Sequence, residues 1–163
     1  MPAEDLERCY VSALRILNYR FNSVAELKRK LRAKDFADED IDATLERLRA
    51  EKWLDDERFA AAFVRTRQNK KVGARRIARE LGAAGVSNDV VKRAIDENAD
   101  PDRERSDLLA LCEKRYRLLE RRKGAEYAAS AEGRNKLTIY LLNQGYDSAL
   151  VREIVKETLV NHR

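Results

Sequence analysis

The chain has 163 residues, 39% of them charged and 44% hydrophobic, with 34 Lys and Arg against 29 Asp and Glu, six Gly, two Pro, two Cys and one His. This length suits one globular unit or a short array and excludes a multidomain enzyme. The opening MPAEDLERCY is acidic where a secretion signal is basic, and the longest apolar run is Phe59–Val64, so a cytoplasmic chain with no membrane span is expected.

Residues of good helix propensity fill nearly every segment, and the prolines stand only at positions 2 and 101, which predicts an all-α fold. The first helix is expected from about Glu7 to Arg20. Cys9 within it has no nearby Cys or His, as is true of Cys112, and both read as buried thiols. Ser23 and Glu26 have capping-box spacing and open a helix with Leu27 and Leu31 on one face. Phe36 then sits in a turn and Asp38 is placed to cap the next helix, whose inward residues are Ile41 and Leu45. Trp53, Phe59 and Phe63 read as core around a helix from Asp55 to Lys71. The acids at 38–40 and 55–57 each precede a helix, where carboxylates cap free N–H groups and complement the dipole.

Gly73 stands at an N-cap before Ile77 and Leu81, Gly85 fits the end of that helix, Val86 lies in the turn, and Ser87 caps a helix bearing Val91 and Ile95. The segment Asn98–Asp102 around Pro101 reads as a hinge, followed by a helix from Glu104 to Arg122. Gly124–Gly133 is a small-residue insertion. Gly133 shares the column of Gly73, and Leu137, Leu141, Gly145, Tyr146, Asp147, Val151 and Val155 complete the pattern.

The chain repeats itself. Leu27, Leu31, Phe36, Ile41 and Leu45 recur 50 positions later as Ile77, Leu81, Val86, Val91 and Ile95, and 110 positions later as Leu137, Leu141, Tyr146, Val151 and Val155. With an amphipathic helix before each pair, three units of three helices are expected: residues 1–54, 55–99 and 100–163, the last with a longer connection between its first and second helices. Units of this size bury too little alone, so they must stack into an elongated array of about nine helices.

Nothing in the sequence forms a nucleophile with its base, a phosphate loop or a metal cluster, and His162 lies at a terminus where fraying is expected. No catalysis, cofactor or metal is predicted. Charge is more informative. Residues 58–79 hold eight cations and no acid, whereas residues 1–54 hold eleven of each sign. Arg65, Arg67, Lys70, Lys71, Arg75, Arg76 and Arg79 form the main candidate contact surface; Arg58 is set aside as a partner for a local carboxylate. Ile77 and Leu81 face inward, which leaves Arg75, Arg76 and Arg79 outward. A second group on the helix before the insertion contributes Arg115, Arg117, Arg121 and Arg122, with Tyr116 as the aromatic candidate for a binding surface. Such runs are either solvated helix faces or contacts to phosphates or an acidic protein surface.

The runs AELKRKLRAKDF, WLDDERFAAAFVRTR, GARRIARELGAAGV and LLNQGYDSALVREIV, in this order over about residues 10–158, resemble the RecX family of bacterial recombination regulators. LDDERFAAAFVRTR, residues 54–67, is the most specific piece, and Trp53 departs from the smaller aliphatic residue more usual there. The resemblance implies an elongated, curved array of three tandem three-helix repeats with no enzymatic activity. It also implies binding to the RecA recombinase and its filament on single-stranded DNA, restraining ATP hydrolysis, filament growth and strand exchange in recombination, DNA repair and the SOS response. Weak binding of single- or double-stranded DNA goes with it. A sequence-indifferent DNA-binding array acting through phosphates is the alternative. A monomer is expected.

Overall fold

A computed structural model of the chain describes residues 2–162. Ten helices account for most of it, and no strand occurs among the described residues: α1 (Pro2–Tyr19), α2 (Val24–Arg32), α3 (Asp38–Ala50), α4 (Asp56–Asn69), α5 (Ala74–Ala83), α6 (Asn88–Glu97), α7 (Pro101–Lys123), α8 (Ala125–Ala129), α9 (Ala131–Asn143) and α10 (Ser148–Asn161). The expected count of about nine falls short by α8, a short helix inside the predicted insertion. Ala128 of α8 is fully buried, and Gly124 before it takes a positive φ of 91°. Two helices start earlier than the sequence pattern indicates, α1 at Pro2 and α7 at Pro101.

Contacts divide the chain into two compact units, and the division passes through α4 and α5. The first unit holds the residues up to Phe63 together with Glu80–Asp96. Its main core takes Cys9, Tyr10 and Ala13 from α1, Leu27 and Leu31 from α2, Ile41, Leu45 and Leu48 from α3, and Leu54. The i, i+4 spacing lays each set on one helix face, so the three helices close on one another by burying those faces. The Ser23 capping box forms as expected: Ser23 Oγ accepts from Glu26 N–H at 3.1 Å and Glu26 Oε2 accepts from Ser23 N–H at 3.3 Å. The same buried hydroxyl donates to Ala84 O at 2.5 Å. Beside it Gly85 takes φ 79°, and a Cβ there would collide with the side chain of Ala25. Asp55 caps α4 by accepting from Glu57 N–H and Arg58 N–H, and Asp56 accepts from Val24 N–H at 2.9 Å.

Two expectations are corrected in this unit. Asp38 is the first residue of α3 and not its cap; Ala37 holds the cap position without a side-chain bond, and the Asp38 carboxylate instead pairs with Arg32 Nε at 2.7 Å. Trp53 is exposed. It is the residue whose N–H returns to Leu48 O to close the end of α3, just after Lys52 at φ 62°, and that turn directs the indole out of the core.

The second unit holds Val64–Arg79 and the residues from Glu97 onward. Its core stacks Leu108, Cys112, Tyr116 and Leu119 of α7 against Ala128, Leu137, Leu141, Tyr146, Val151, Ile154 and Val155. The expected hinge is a short connection, Asn98–Asp100, in which Gln68 Nε2 donates to Asn98 O at 2.9 Å and Asp100 caps α7 through Arg103 N–H at 3.0 Å. Pro101 then occupies the first helical turn, where its missing N–H costs nothing. Ser130, not Gly133, caps α9: its Oγ accepts from Gly133 N–H at 3.1 Å. Asp147 caps α10 as expected, accepting from Ala149 N–H at 2.8 Å. His162 is not frayed; its ring stacks on Tyr116 with centroids 4.3 Å apart, and its Nε2 lies 2.8 Å from Glu113. Both cysteines are buried.

Candidate interaction surface

All eleven predicted contact residues fall in the second unit. The main group lies along the end of α4, the turn at residues 70–73, and the start of α5. α4 ends as Lys71 enters the left-handed region at φ 56°, with Lys70 N–H and Val72 N–H both donating to Arg67 O. The chain then meets the α9–α10 turn backbone to backbone: Gly73 N–H donates to Gln144 O at 2.8 Å and Arg75 N–H to Gly145 O at 3.0 Å. The approach is so close that a Cβ on Gly73 would collide with Gly145 and Tyr146. Gly145, at φ 95°, leaves no room either, since a Cβ there would strike Arg76.

This stitch commits several of the predicted cations. Arg75 Nη2 pairs with Asp147 Oδ1 at 2.6 Å, Arg76 Nη1 donates to Gln144 Oε1 at 3.5 Å, and Lys71 Nζ lies 3.3 Å from Asp107. Tyr146 Oη donates to Lys71 O at 2.9 Å, and burial holds that phenol protonated well above its ordinary range. Arg76 is therefore half-buried and not outward, while Arg75 and Arg79 are exposed. Arg67 is half-buried and engaged within the fold. Arg65, Lys70 and Arg79 project into solvent, with no ion pair among the described residues.

The α7 group is also split. Arg115 is half-buried, its guanidinium 4.7 Å from the centre of the Tyr140 ring. Arg117 and Arg121 are exposed along a groove that also carries Lys114, Glu113 and Glu120, and Arg122 is exposed. Tyr116, expected as a surface aromatic, is 1% exposed and packs in the core, so it is not a binding residue. No group of three His, Cys, Asp or Glu side chains that could hold a metal occurs among the described residues, and no described helix is long and apolar enough to cross a membrane.

Charge counting missed a second surface, in the first unit. Tyr19, Phe21 and Trp53 are 89%, 64% and 61% exposed. They wall a groove of about 790 Å³ floored by Val11, Leu14 and Leu17 of α1 and flanked by Arg15 and Arg20. The equal numbers of acids and bases in residues 1–54 concealed it; interleaved Tyr, Arg and Phe at 19–21 was the available signal.

The fold is that of a helical tandem-repeat protein, and its described surface carries solvent-facing cations and exposed aromatics. Its similarity to known proteins identifies which kind. Residues 9–48 match the model of the first three-helix domain of RecX, and residues 55–95 that of the second. The regulatory protein RecX of Prosthecochloris aestuarii is 33% identical over 162 residues, 99% of this chain and 100% of that one. The regulatory protein RecX of Geobacillus thermodenitrificans is 41% identical over 96 residues, which are 58% of this chain and 36% of that protein. The crystal structure of RecX from Lactobacillus salivarius superposes with a TM-score of 0.80 at 24% identity, covering 97% of this chain and 99% of that one. The chain belongs to the RecX family of regulatory proteins.

Proposed function

We propose that the chain is a non-enzymatic, cytoplasmic regulator of homologous recombination and DNA repair that binds the RecA recombinase and its filament on single-stranded DNA. Bound there, it restrains ATP hydrolysis, filament growth and strand exchange. The observation that carries this reading is the match to a RecX regulatory protein along 99% of the chain. Repeats at residues 1–54, 55–99 and 100–163 give a monomer several copies of one packing unit, suited to touching neighbouring protomers of a polymer. Linked contacts of that kind add as one binding event.

The contact residues best suited to the role are Arg65, Lys70 and Arg79, whose charges the fold leaves unspent, followed by Arg117, Arg121 and Arg122. Arg75, Arg76 and Lys71 contribute to the surface chiefly by holding its shape. The test is recombinase ATPase on single-stranded DNA, titrated with the chain before and after filament assembly. Suppression at amounts well below one chain per recombinase subunit is expected. Reversing Arg65, Lys70 and Arg79 to Glu removes about 0.5 kcal/mol of surface interaction each, so half-suppression should need roughly tenfold more protein. No suppression by the wild type would refute the function; suppression unchanged in the triple variant would remove this face from it. A steep salt dependence with one chain acting per DNA site would favour the phosphate-gripping alternative.

A further inference from the structure

The exposed aromatics of the first unit do not stand in one groove only. Three grooves adjoin there. Tyr19 walls both the first, which carries Lys30 and Lys34, and the second, which carries Arg15 and Arg20. Phe21 and Trp53 wall both the second and the third, which carries Lys52 and Arg58. Each partition is thus an aromatic ring and each compartment brings two cations.

We propose that these grooves form a track for single-stranded DNA, in which bases stack on Tyr19, Phe21 and Trp53 while the paired cations meet the intervening phosphates. The electrostatics support an anionic occupant. The linings contain six cations and two carboxylates, Glu51 and Asp55, and both acids are already engaged. Glu51 accepts from the Tyr10 hydroxyl and from Arg47 Nε at 3.0 Å, and Asp55 accepts from the N–H groups of Glu57 and Arg58. Arg20 shares its charge with Glu26 at 3.3 Å, Lys30 donates to Asn22 Oδ1 and Arg58 Nη1 donates to Lys52 O at 3.4 Å, which leaves Arg15, Lys34 and Lys52 as the principal phosphate contacts, joined by the remaining N–H groups of Arg58.

Alternation is what distinguishes a nucleic-acid strand from a protein partner. A protein anchor needs a continuous apolar floor, whereas here the aliphatic side chains fall into separate sets, Ile16 and Ala33 in the first groove and Val11, Leu14 and Leu17 in the second, divided by the aromatic partitions. Rings and cations alternate along all three grooves, the arrangement that matches a polymer of flat bases and regularly spaced phosphates. The choice of DNA over RNA rests on the proposed function; the site itself does not.

Trp53 is the only tryptophan in the chain, so its fluorescence reports this track and no other surface. Oligo(dT) at low salt should quench it. With about four phosphates neutralised, the logarithm of the affinity should fall against the logarithm of salt with a slope near −3. Phe21→Ala should weaken binding of labelled oligo(dT), read by anisotropy, about tenfold. Arg15→Gln should flatten the salt slope by roughly 0.7. Both side chains are exposed, and an unchanged helical circular dichroism spectrum will show that the variants remain folded. The proposal is overturned if oligo(dT) leaves Trp53 emission unchanged, if oligo(rU) binds more tightly than oligo(dT), or if Phe21→Ala spares oligonucleotide binding while abolishing recombinase suppression, which would make the track a protein-docking surface. Oligo(dT) binding at Trp53 by a chain that does not suppress the recombinase would retain the track and refute the proposed function instead.

Discussion

The contact between Gly73 and the α9–α10 turn gives the most quantitative test of how the fold holds its cationic face. Replacing Gly73 by Ala places a methyl group against the backbone of Gly145 and Tyr146, where no flexible side chain can yield. The two segments must separate or distort. Overpacking of this kind costs about 1–3 kcal/mol. Separation also weakens two backbone hydrogen bonds, Gly73 N–H to Gln144 O and Arg75 N–H to Gly145 O, each worth about 1 kcal/mol. A total of about 2–4 kcal/mol is expected, or a fall in Tm of roughly 5–15 °C for a chain of this size. Gly82→Ala is the internal control: Gly82 lies inside α5 with nothing within 4 Å of the place its methyl group would take, so the same substitution should stabilise by about 0.5–1 kcal/mol. Urea titration and calorimetry of both variants give the comparison. A Gly73→Ala chain as stable as the wild type would refute the argument that this approach is closed to a side chain.

Two further outcomes follow from the titrating groups. Backbone N–H groups of Ala149 and Leu150, and then Arg75, hold the Asp147 carboxyl below its ordinary range, so its contribution is complete above the unfolded value near 3.8 and is lost as pH falls through the lower folded value. The gap in urea midpoint between wild type and Asp147→Asn should therefore be constant at neutral pH and close below about pH 4. Burial raises the thiols of both Cys9 and Cys112, so neither should react with a thiol reagent in the native chain, and both should react once it is unfolded in urea; native reactivity at either would contradict its placement in the core.

What the sequence disclosed was local. The Ser23 capping box, the Asp147 cap and the positive-φ glycines at 85 and 145 depend on residues within a few positions of one another, and each stands where its spacing puts it. The aromatics were less legible because burial is decided by the face, not by the residue type. Tyr116 continues the stripe Leu108, Cys112, Tyr116, Leu119 along α7, and its arginine neighbours masked that spacing. Trp53 belongs to no stripe at all; it follows the left-handed residue that ends α3. The pairing of Lys71 with Asp107 and of Arg75 with Asp147 joins residues far apart in the chain, so a tally of charges along the sequence could not separate committed cations from free ones.

That separation also bears on how the net charge of +5 is distributed between backbone and solvent. Short carboxylates are drawn to helix starts, where Asp55, Asp100 and Asp147 satisfy backbone N–H groups and complement the dipole. An acid used in this way lies against the backbone and is partly neutralised by it. Long cations have no such duty at those positions, and their stems carry the charge outward, as at Arg65, Lys70 and Arg79. A protein built from many short capped helices therefore spends its anions on its own architecture and turns its cations to solvent. Each added helix start strengthens that bias, so the solvent-facing cations arise from the same requirement as the repeat architecture itself.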